Sequence, residues 1–415
     1  MESLSLEGEI TLEELNHSLS KMKNNKCPGI DGFPAEFYKV FWNKIKYFAL
    51  RAINHSYNAG SMSDSMRTCV ISCLPKGDKP RQFLKNWRPI SLLSVLYKLA
   101  SSAISNRLKS VLPKIISECQ TGFLTGRFIG DSTRLVYDIM HYVDTNNLSG
   151  QLMLVDFHKA FDSVSWNFLS ELLDHINFGL SFRKWITLFN TDIKAYILQS
   201  GFLSSAIKIR RGCRQGDPIA SYLFLLCAQV LCYMIENNEN IRGISIDNTQ
   251  FKLTHFADDT TIFLDGSRDS LLAALNTLEI FGTFSGLKVN TDKTKIVWLG
   301  KKKHSADKID TVQNLSWGTT DFNLLGLEFS VDMKKMLSLN YNPIINKIEN
   351  ILNRWNRRNL TPLGKITVIK TFIISSLNHL FSSIPSPGPH VITQIEKLLY
   401  SFIWNNKPHK ISKIK

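Results

Sequence analysis

The sequence predicts a mixed helix-and-strand protein of two to three domains or subdomains, and three observations lead to this prediction. Its 415 residues are too many for one small core. Residues 150–300 alternate short apolar runs, which are typical of buried strands, with apolar residues at helical spacing. Beyond residue 330 the apolar residues follow helical spacing alone. We therefore expect a mixed centre and a helical C-terminal part.

The individual elements can be predicted in chain order. A helix over residues 11–23 has leucines at helical spacing and begins with a capping box of Thr11 and Glu14. A long apolar helix is predicted to begin with Asp217 as its N-cap and Pro218 in its first turn. The other predicted helices cover residues 35–58, 91–109, 165–176 and 271–284. The predicted strands cover residues 70–74, 152–155, 251–256, 260–264 and 295–299.

The last 85 residues form a basic, helical segment. They contain 13 Lys and Arg against three Asp and Glu, whereas the whole chain has 50 against 35. Its first helix has one apolar face, a second helix is predicted to start at Thr361-Pro362, and the turn over residues 385–389 separates a third. The residues of the apolar face are Ile344, Ile348, Ile351, Leu352 and Trp355. Such a concentration of positive charge favours a polyanionic partner, and the alternative is a solvated charged face.

Composition and the N-terminal sequence argue against several classes of protein. The seven cysteines are odd in number and have no CxxC pair, so neither a disulfide scaffold nor a zinc site is expected, and a reducing compartment is. The first ten residues lack the features of a signal peptide. The longest apolar stretch, residues 221–235, is too short to span a membrane. We expect neither a secreted nor a membrane protein.

The strongest chemical signal is a pair of adjacent acids at a predicted hairpin tip. Asp258 and Asp259 stand where hairpins ordinarily prefer Asn-Gly or Asp-Gly, and their charges repel. Taken alone, such a pair is more often a solvated turn. However, Asp156 ends another predicted buried strand, and two carboxylates at neighbouring strand ends form a hard-oxygen site suited to Mg²⁺. Such a site can hold two ions about 3.5–4 Å apart for phosphoryl transfer.

Two further stretches stand out, each with a structural alternative. Phe161 lies five residues after Asp156, and packing in the core is its ordinary interpretation. Residues 211–218, Arg-Gly-Cys-Arg-Gln-Gly-Asp-Pro, place two glycines before a helix N-terminus, which favours close backbone approach and anions. A capped turn is the alternative for this stretch.

Taken in order, these motifs resemble those of the reverse transcriptases of non-LTR, LINE-type retrotransposons. The leading Pro-Gly-x-Asp-Gly block and the Phe-Ala-Asp-Asp tip are the features most similar to that group. The matching stretches are Pro28 to Gly32, Leu74 to Lys76, Trp87 to Leu92, Gln120 to Phe123, Asp156 to Asp162, Arg211 to Pro218, Phe256 to Asp259, Gly286 to Asn290, Lys293 to Lys295 and Leu324 to Gly326. The resemblance implies an α+β right-hand polymerase of fingers, palm and thumb, with an antiparallel palm sheet and a helical thumb. It implies RNA-directed DNA synthesis.

The resemblance also implies roles for individual residues. Asp156, Asp258 and Asp259 would be catalytic, with two Mg²⁺ ions (or Mn²⁺) held by Asp156, Asp258 and the Phe157 carbonyl. Because neighbouring strand residues point to opposite faces, Asp259 is expected to be the secondary acid. Phe161 would exclude a ribose 2′-OH. The other nucleotide-binding residues would be Lys76, Arg88, Gln215, Gly216 and Lys293, the last in preference to Lys288 or Lys295. The residues that would contact nucleic acid in the thumb are Lys347, Arg354, Arg357 and Arg358.

The predicted segments are an N-terminal fingers extension over residues 1–54, fingers and palm over 55–330, and a helical basic thumb over 331–415. The expected partners are an RNA template, a DNA primer and dNTPs, with no membrane; the sequence leaves the oligomeric state open. The resemblance implies a nuclear, intracellular protein and target-primed reverse transcription. Two alternatives remain: a polymerase that makes RNA, against which Phe161 argues, and a catalytically inactive nucleic-acid-binding remnant of such an element.

Overall fold

The computed structural model describes residues 6–77, 79–309 and 315–407. The chain divides into two compact units, each built from three stretches. The first unit comprises Met1–Thr125, Asp156–Asn238 and Ala274–Asn290, and the second comprises Gly126–Val155, Glu239–Ala273 and Thr291–Lys415. The ends of the predicted fingers extension and thumb, residues 1–5 and 408–415, lie outside the described residues. The predicted boundaries after residues 54 and 330 stay a prediction.

Helices and strands alternate along most of the chain. The helices are α1 (Leu12–Lys21), α2 (Ala35–Ala59), α3 (Asp64–Arg67), α4 (Val95–Ile115), α5 (Ile129–Thr145), α6 (Ala160–Ser163), α7 (Trp166–His175), α8 (Leu180–Asn190), α9 (Ala220–Glu236), α10 (Arg268–Ser285), α11 (Met333–Asn356), α12 (Pro362–Val368), α13 (Ser375–Ser383) and α14 (Pro389–Trp404). A 3₁₀ turn (Leu84–Asn86) and a π-helical turn (Ile369–Ile374) complete the helical elements described.

The strands fall into four sheets within the described residues. They are β1 (Thr68–Pro75), β2 (Trp87–Leu92), β3 (Ser149–Val155), β4 (Lys194–Gln199), β5 (Phe202–Leu203), β6 (Ile207–Lys208), β7 (Ile244–Ile246), β8 (Thr249–Phe251), β9 (Leu253–Phe256), β10 (Asp259–Leu264), β11 (Lys295–Gly300), β12 (Asp321–Leu324) and β13 (Leu327–Ser330). In the first unit, β2, β1, β4 and β5 form one sheet in that order, with β6 also on β4, and β1 runs parallel to β4.

The second unit is organised around an antiparallel sheet in the order β11-β3-β10-β9. Its central strand β3 is apolar because both of its faces are covered, and Leu152 and Met153 are fully buried. One hydrophobic cluster joins this sheet to α5 and to the helices after residue 330, through Val136, Leu152, Ile348 and Phe402. The C-terminal helices therefore complete the core of this unit. No helix in the described ranges is both long and apolar enough to cross a membrane.

Most predicted elements are confirmed. The capping box at α1 is present: the amide of Glu14 donates to Thr11 Oγ1 at 3.3 Å, and the Thr11 amide donates to Glu14 Oε2 at 2.8 Å. Two predictions are wrong. The helix predicted over residues 91–109 begins only at Val95, because residues 87–92 pair with β1 as strand β2. Asp217 is not the N-cap of α9 and Pro218 is not in its first turn, because α9 begins at Ala220 after Ile219; the Asp217 carboxylate is buried instead.

Candidate active site

The two adjacent acids lie at a tight hairpin in the second unit. Asp259 pairs with Phe256 in the β9–β10 ladder, so only Ala257 and Asp258 form the turn. Ala257 has φ +58°, in the left-handed region. Asp258 is half-buried and Asp259 is exposed. The two carboxylates therefore have different environments, although they are adjacent in sequence.

A buried histidine lies one pair behind this turn. His255 and Thr260 are partners across β9 and β10, and their side chains form a hydrogen bond of 2.8 Å between Nδ1 and Oγ1. Burial lowers the pKa of His255 from 6.5 to about 4. Ser132 of α5 donates to the main-chain oxygen of His255 at 3.3 Å. The strand pair directly behind the turn is thus held by hydrogen bonds among uncharged groups: the His255 imidazole and main chain and the hydroxyls of Thr260 and Ser132.

The register of the same sheet fixes where β3 ends. Val155, its last residue, pairs with Thr260, and Asp156 is the next residue along the chain. In the first unit, the Asn290 amide Nδ2 donates to Asp156 Oδ2 at 2.9 Å, and the Asn290 N–H donates to the Asp156 carbonyl at 2.7 Å. Phe157 forms an isolated antiparallel bridge with Val289. The backbone and one carboxylate oxygen of Asp156 are thus held by the segment that precedes β11.

Phe161 belongs to an aromatic cluster in the first unit. Its ring stacks on Phe224 of α9, with centroids 4.3 Å apart, and meets Phe123 edge-on at 6.3 Å. The Phe161 carbonyl accepts from the amide of Cys213 at 2.6 Å. Two aromatic neighbours therefore contact the Phe161 ring, yet the residue is only partly buried. Main-chain hydrogen bonds thus join the loop of residues 211–218 to the segment that carries Phe161.

A buried ion pair supports that loop. Arg214 and Asp217 are 3.1 Å apart, with 7% and 5% of their side chains exposed. Tyr97 of α4 donates to Asp217 Oδ2 at 2.6 Å and also contacts Arg214, while Ser101 donates to the other oxygen. Burial tends to lower the pKa of Arg214, but Tyr97 and Asp217 outweigh it and raise the pKa above its usual value. The same carboxylate also accepts from the main-chain amide of Ile219 at 3.4 Å, one residue before α9 begins.

This network presents Gln215 and Gly216 against strand β2. The Gln215 carbonyl accepts from the Ser91 amide at 2.9 Å. Gly216 has φ +106°, and a Cβ there would lie 2.7 Å from the Ser91 carbonyl oxygen. Only glycine fits this approach. Arg88, on the same strand, is exposed, and Lys76 Nζ donates to the carbonyl of Lys85 at 2.9 Å. The structure thus brings Gln215 and Gly216 beside the strand that carries Arg88.

Other predicted residues lie in the second unit. Lys293 is exposed just before β11. On α11, Ile344, Ile348 and Leu352 are buried and Trp355 is partly buried, as predicted. The four basic residues Lys347, Arg354, Arg357 and Arg358 are exposed, and the Arg358 guanidinium lies 4.8 Å from the Trp355 ring centroid. In the described part of the chain, no group of three or more His, Cys, Asp or Glu side chains is arranged to hold a metal.

Sequence reasoning missed four residues that shape these segments: Asn290, His255, Arg214 and Lys98. Lys98 of α4 is half-buried, and burial lowers its pKa. The nearby Asp217, Cys27 and Asp31 act in the opposite direction but do not reverse the shift. Asn290 was the residue most accessible to prediction, because it ends the Gly-Leu-Lys-Val-Asn motif. Arg214 stands in a motif that the sequence singled out, but no local pattern predicts that it is buried.

Comparison with known proteins identifies the chain. Residues 74–329 match the family model described as reverse transcriptase (RNA-dependent DNA polymerase). The chain belongs to the reverse transcriptase family. This membership confirms the predicted fold class, an α+β right-hand polymerase.

Its relatives include proteins of retrotransposable elements, which confirms the resemblance to non-LTR reverse transcriptases. The chain is 29% identical to the transposon TX1 uncharacterized 149 kDa protein of Xenopus laevis, over 97% of this chain and 30% of that protein. It is 25% identical to the Pol polyprotein of the type-2 retrotransposable element R2DM of Drosophila melanogaster, over 94% of this chain and 36% of that one. It spans about a third of their length.

Among solved structures, the chain is similar to apo telomerase from Candida tropicalis, truncated from its C-terminal domain. The TM-score is 0.43 with 12% identity, over 72% of this chain and 59% of that one.

Proposed function

We propose that this reverse transcriptase is the RNA-directed DNA polymerase of a LINE-type retrotransposon and copies RNA into cDNA by two-metal phosphoryl transfer. The register of β3 and β10 carries the proposal. Because Val155 pairs with Thr260, Asp156 directly follows one strand where Asp258 closely precedes its neighbour. Carboxylates that leave adjacent strands at the same end of a sheet suit a shared site for divalent cations.

The residues that would hold Mg²⁺, or Mn²⁺ in its place, are Asp156, Asp258 and the Phe157 carbonyl. This donor set fits a hard cation because every donor is an oxygen. Asn290 donates to one oxygen of Asp156, which orients that carboxylate without neutralising its charge. When bound, two such ions would stabilise the charge that develops during phosphoryl transfer. Asp259, exposed and on the strand itself, is proposed as the secondary catalytic acid.

Six further residues are proposed to contact the nucleotide. Phe161 is proposed to exclude a ribose 2′-OH by its volume, since stacking on Phe224 fixes its ring. Gln215 and Gly216 would lie against the incoming nucleotide and template, held by the Arg214–Asp217 pair. Arg88 and Lys76 would bind the triphosphate, for which Arg offers bidentate hydrogen bonds. Lys293 is proposed to protonate the pyrophosphate.

An RNA template, a DNA primer and dNTPs are the proposed partners, with target-primed synthesis in the nucleus. Four exposed basic residues would contact the phosphates of the hybrid duplex: Lys347 and Arg354 of α11, and Arg357 and Arg358 directly after it. Their exposure leaves them available for such contacts.

Primer extension on poly(rA)–oligo(dT) tests the proposal. We expect incorporation of dTTP by the purified chain in the presence of Mg²⁺ and none by an Asp258→Asn variant that binds the same primer–template. Binding without extension by the unmodified chain would favour the inactive remnant. Preferential incorporation of UTP would favour an RNA-making polymerase.

A further inference from the structure

A basic cleft lies in the second unit, and no role proposed above uses it. It is formed where the turn after β11, residues 301–304, meets the C-terminal end of α5. The cavity measures about 680 Å³ and is lined by Asp144, Asn147, Gly300, Lys301, Lys302, Lys303, His304 and Ser305. We call it the KKKH cleft. Its lining contains three consecutive lysines and a histidine against a single acid.

The backbone of the turn is fixed in this arrangement. Gly300 has φ +58°, and a Cβ there would lie 2.0 Å from the carbonyl oxygen of Leu148, so the two segments touch through backbone. The amide of Lys301 donates to that same Leu148 carbonyl at 2.9 Å. Two further bonds, from the Lys303 amide to the Gly300 carbonyl and from Ser305 to Lys302, close the turn. The lysines are therefore presented by a defined loop.

The side chains leave a net positive cleft. Lys303 Nζ lies 2.6 Å from Asp144 Oδ1, so these two charges offset each other. Lys302 remains exposed, with its ammonium 4.8 Å from the ring centroid of the buried Trp298, which restrains it. Lys301 and His304 are exposed. Two lysines and a histidine are thus available to a ligand.

The lining favours nucleic acid over protein. Protein interfaces are depleted of lysine and depend on aromatic or arginine anchors in their centre. The KKKH cleft has no apolar or aromatic side chain in its lining, whereas clustered ammonium donors are typical of phosphate contacts. A strand with evenly spaced phosphates fits such a surface, because each neutralised phosphate releases counterions.

The position of the cleft separates it from the proposed polymerase site. In the β11–β3 ladder, Gly300 pairs with Ser149 and Lys295 pairs with Leu154, beside the end of β3. The turn is therefore at the opposite end of the sheet from the catalytic hairpin. Six residues of strand span about 20 Å, so a nucleic acid that already fills the polymerase site must extend about 20 Å further to reach the cleft.

We propose that the KKKH cleft is a second nucleic-acid contact, which binds the phosphate backbone of an RNA strand or an RNA–DNA hybrid beyond the polymerase site. This proposal rests on the proposed function in one respect only: it assumes that the protein binds nucleic acid. Lys301, Lys302 and His304 would make the contacts, and Lys303 would hold the turn on Asp144.

Equilibrium binding tests this, with a readout that needs no polymerisation. The full chain is compared with a Lys301→Gln/Lys302→Gln/His304→Gln variant and with a dispersed control, Lys21→Gln/Lys109→Gln/Lys334→Gln, which removes exposed lysines elsewhere. The probes are a blunt hybrid of about eight base pairs, the same hybrid with a single-stranded RNA extension of about 30 nucleotides, and a fully paired hybrid of the longer length. Urea midpoints establish that the variants fold equally well.

We expect the cleft variant to lose about five- to tenfold in affinity for a long probe and less than about twofold for the short one. Its plot of log K against log[salt] should be flatter by about 1.5, from two lysines. Loss on the extended probe alone identifies single-stranded RNA as the ligand, loss on the fully paired long probe alone identifies the hybrid duplex, and loss on both identifies the phosphate backbone that the two share. Equal losses for short and long probes, no loss at all, or an equal loss in the dispersed control would each overturn the proposal.

Discussion

Thr260 Oγ1 lies 2.8 Å from Nδ1 of the buried His255, across the strand pair whose turn carries Asp258. This contact ties the proposed catalytic turn to a group whose charge state depends on pH. The pKa of His255 is lowered to about 4 because burial disfavours the imidazolium. The unfolded chain therefore binds this proton more readily than the folded chain does.

His255 should make the protein less stable in acid. Its neutral form stabilises the fold fully above about pH 6.5, and this contribution is lost as the pH falls through about 4. The full loss is on the order of 3 kcal/mol. In urea unfolding at pH 7.5 and 4.5, His255→Gln should show a smaller difference than the unmodified chain. An exposed histidine, His175, provides the control: His175→Gln should keep the full difference.

Asp156→Ala and Asp258→Ala should each reduce primer extension by about 10³-fold or more, because each removes a proposed metal ligand. Primer–template affinity should change little, since phosphate contacts elsewhere supply most of it. Asp259→Ala should lose less than Asp258→Ala. Single-turnover extension and filter binding measure both quantities. Extension by the Asp156→Ala protein at the unmodified rate would remove Asp156 from the site.

Phe161→Ala should admit ribonucleotides, because the ring that stacks on Phe224 is proposed to exclude the 2′-OH. The ratio of rNTP to dNTP incorporation should rise more than dNTP use falls. Phe123→Ala removes the edge-on neighbour instead and serves as the matched control. An unchanged ratio in a folded, active Phe161→Ala protein would return Phe161 to an ordinary packing role.

Gly216→Ala should impair nucleotide use more than a comparable substitution elsewhere. Both Gly216 and Gly201 have positive φ, but a Cβ at Gly216 would meet the Ser91 carbonyl at 2.7 Å, whereas nothing lies within 4 Å at Gly201. Alanine is therefore strained by the positive φ in both variants, but only Gly216→Ala also brings a Cβ against the Ser91 carbonyl. We expect KM for dNTP to rise in Gly216→Ala alone. The same KM for dNTP in Gly216→Ala and Gly201→Ala would show that the close contact between Gly216 and β2 does not affect nucleotide binding.

The arginines at the end of α11 should control duplex binding. Replacement of Arg354, Arg357 and Arg358 by Gln should flatten the plot of log K against log[salt] by up to about two. Processivity should fall, while incorporation of a single nucleotide should suffer less. Affinity for primer–template across a salt series measures the slope. An unaltered slope would mean that these side chains only keep the helix soluble.

Local patterns in the sequence were sufficient for features whose partners are close in the chain. Thr11 and Glu14 cap α1 from three residues apart, and the hairpin of Asp258 needs only its two flanking strands. Asp217 was misassigned because its partners Tyr97 and Ser101 lie more than a hundred residues earlier. A local pattern cannot distinguish an acid that caps a helix from one that is buried against a distant helix.

Strand β2 was missed for a related reason. Residues 87–92 include Pro89 and lead directly into α4, so their pattern resembles a helix start. Their extended conformation comes from pairing with β1, which is tertiary information. Asn290 illustrates the same limit within the candidate site: its motif was recognised, but not its hydrogen bond to Asp156, 134 residues away.

The interleaving of the two units has a consequence for fragments of the protein. The chain passes from one unit to the other five times, and each unit is assembled from three separate stretches. No single cut yields either unit as one continuous polypeptide. Each unit must also wait for residues made much later in synthesis, and such non-local closure slows folding. Split or truncated versions should therefore remain unfolded until the complementary piece is supplied, and because the two units alternate along the chain, circular permutation would not make either unit continuous.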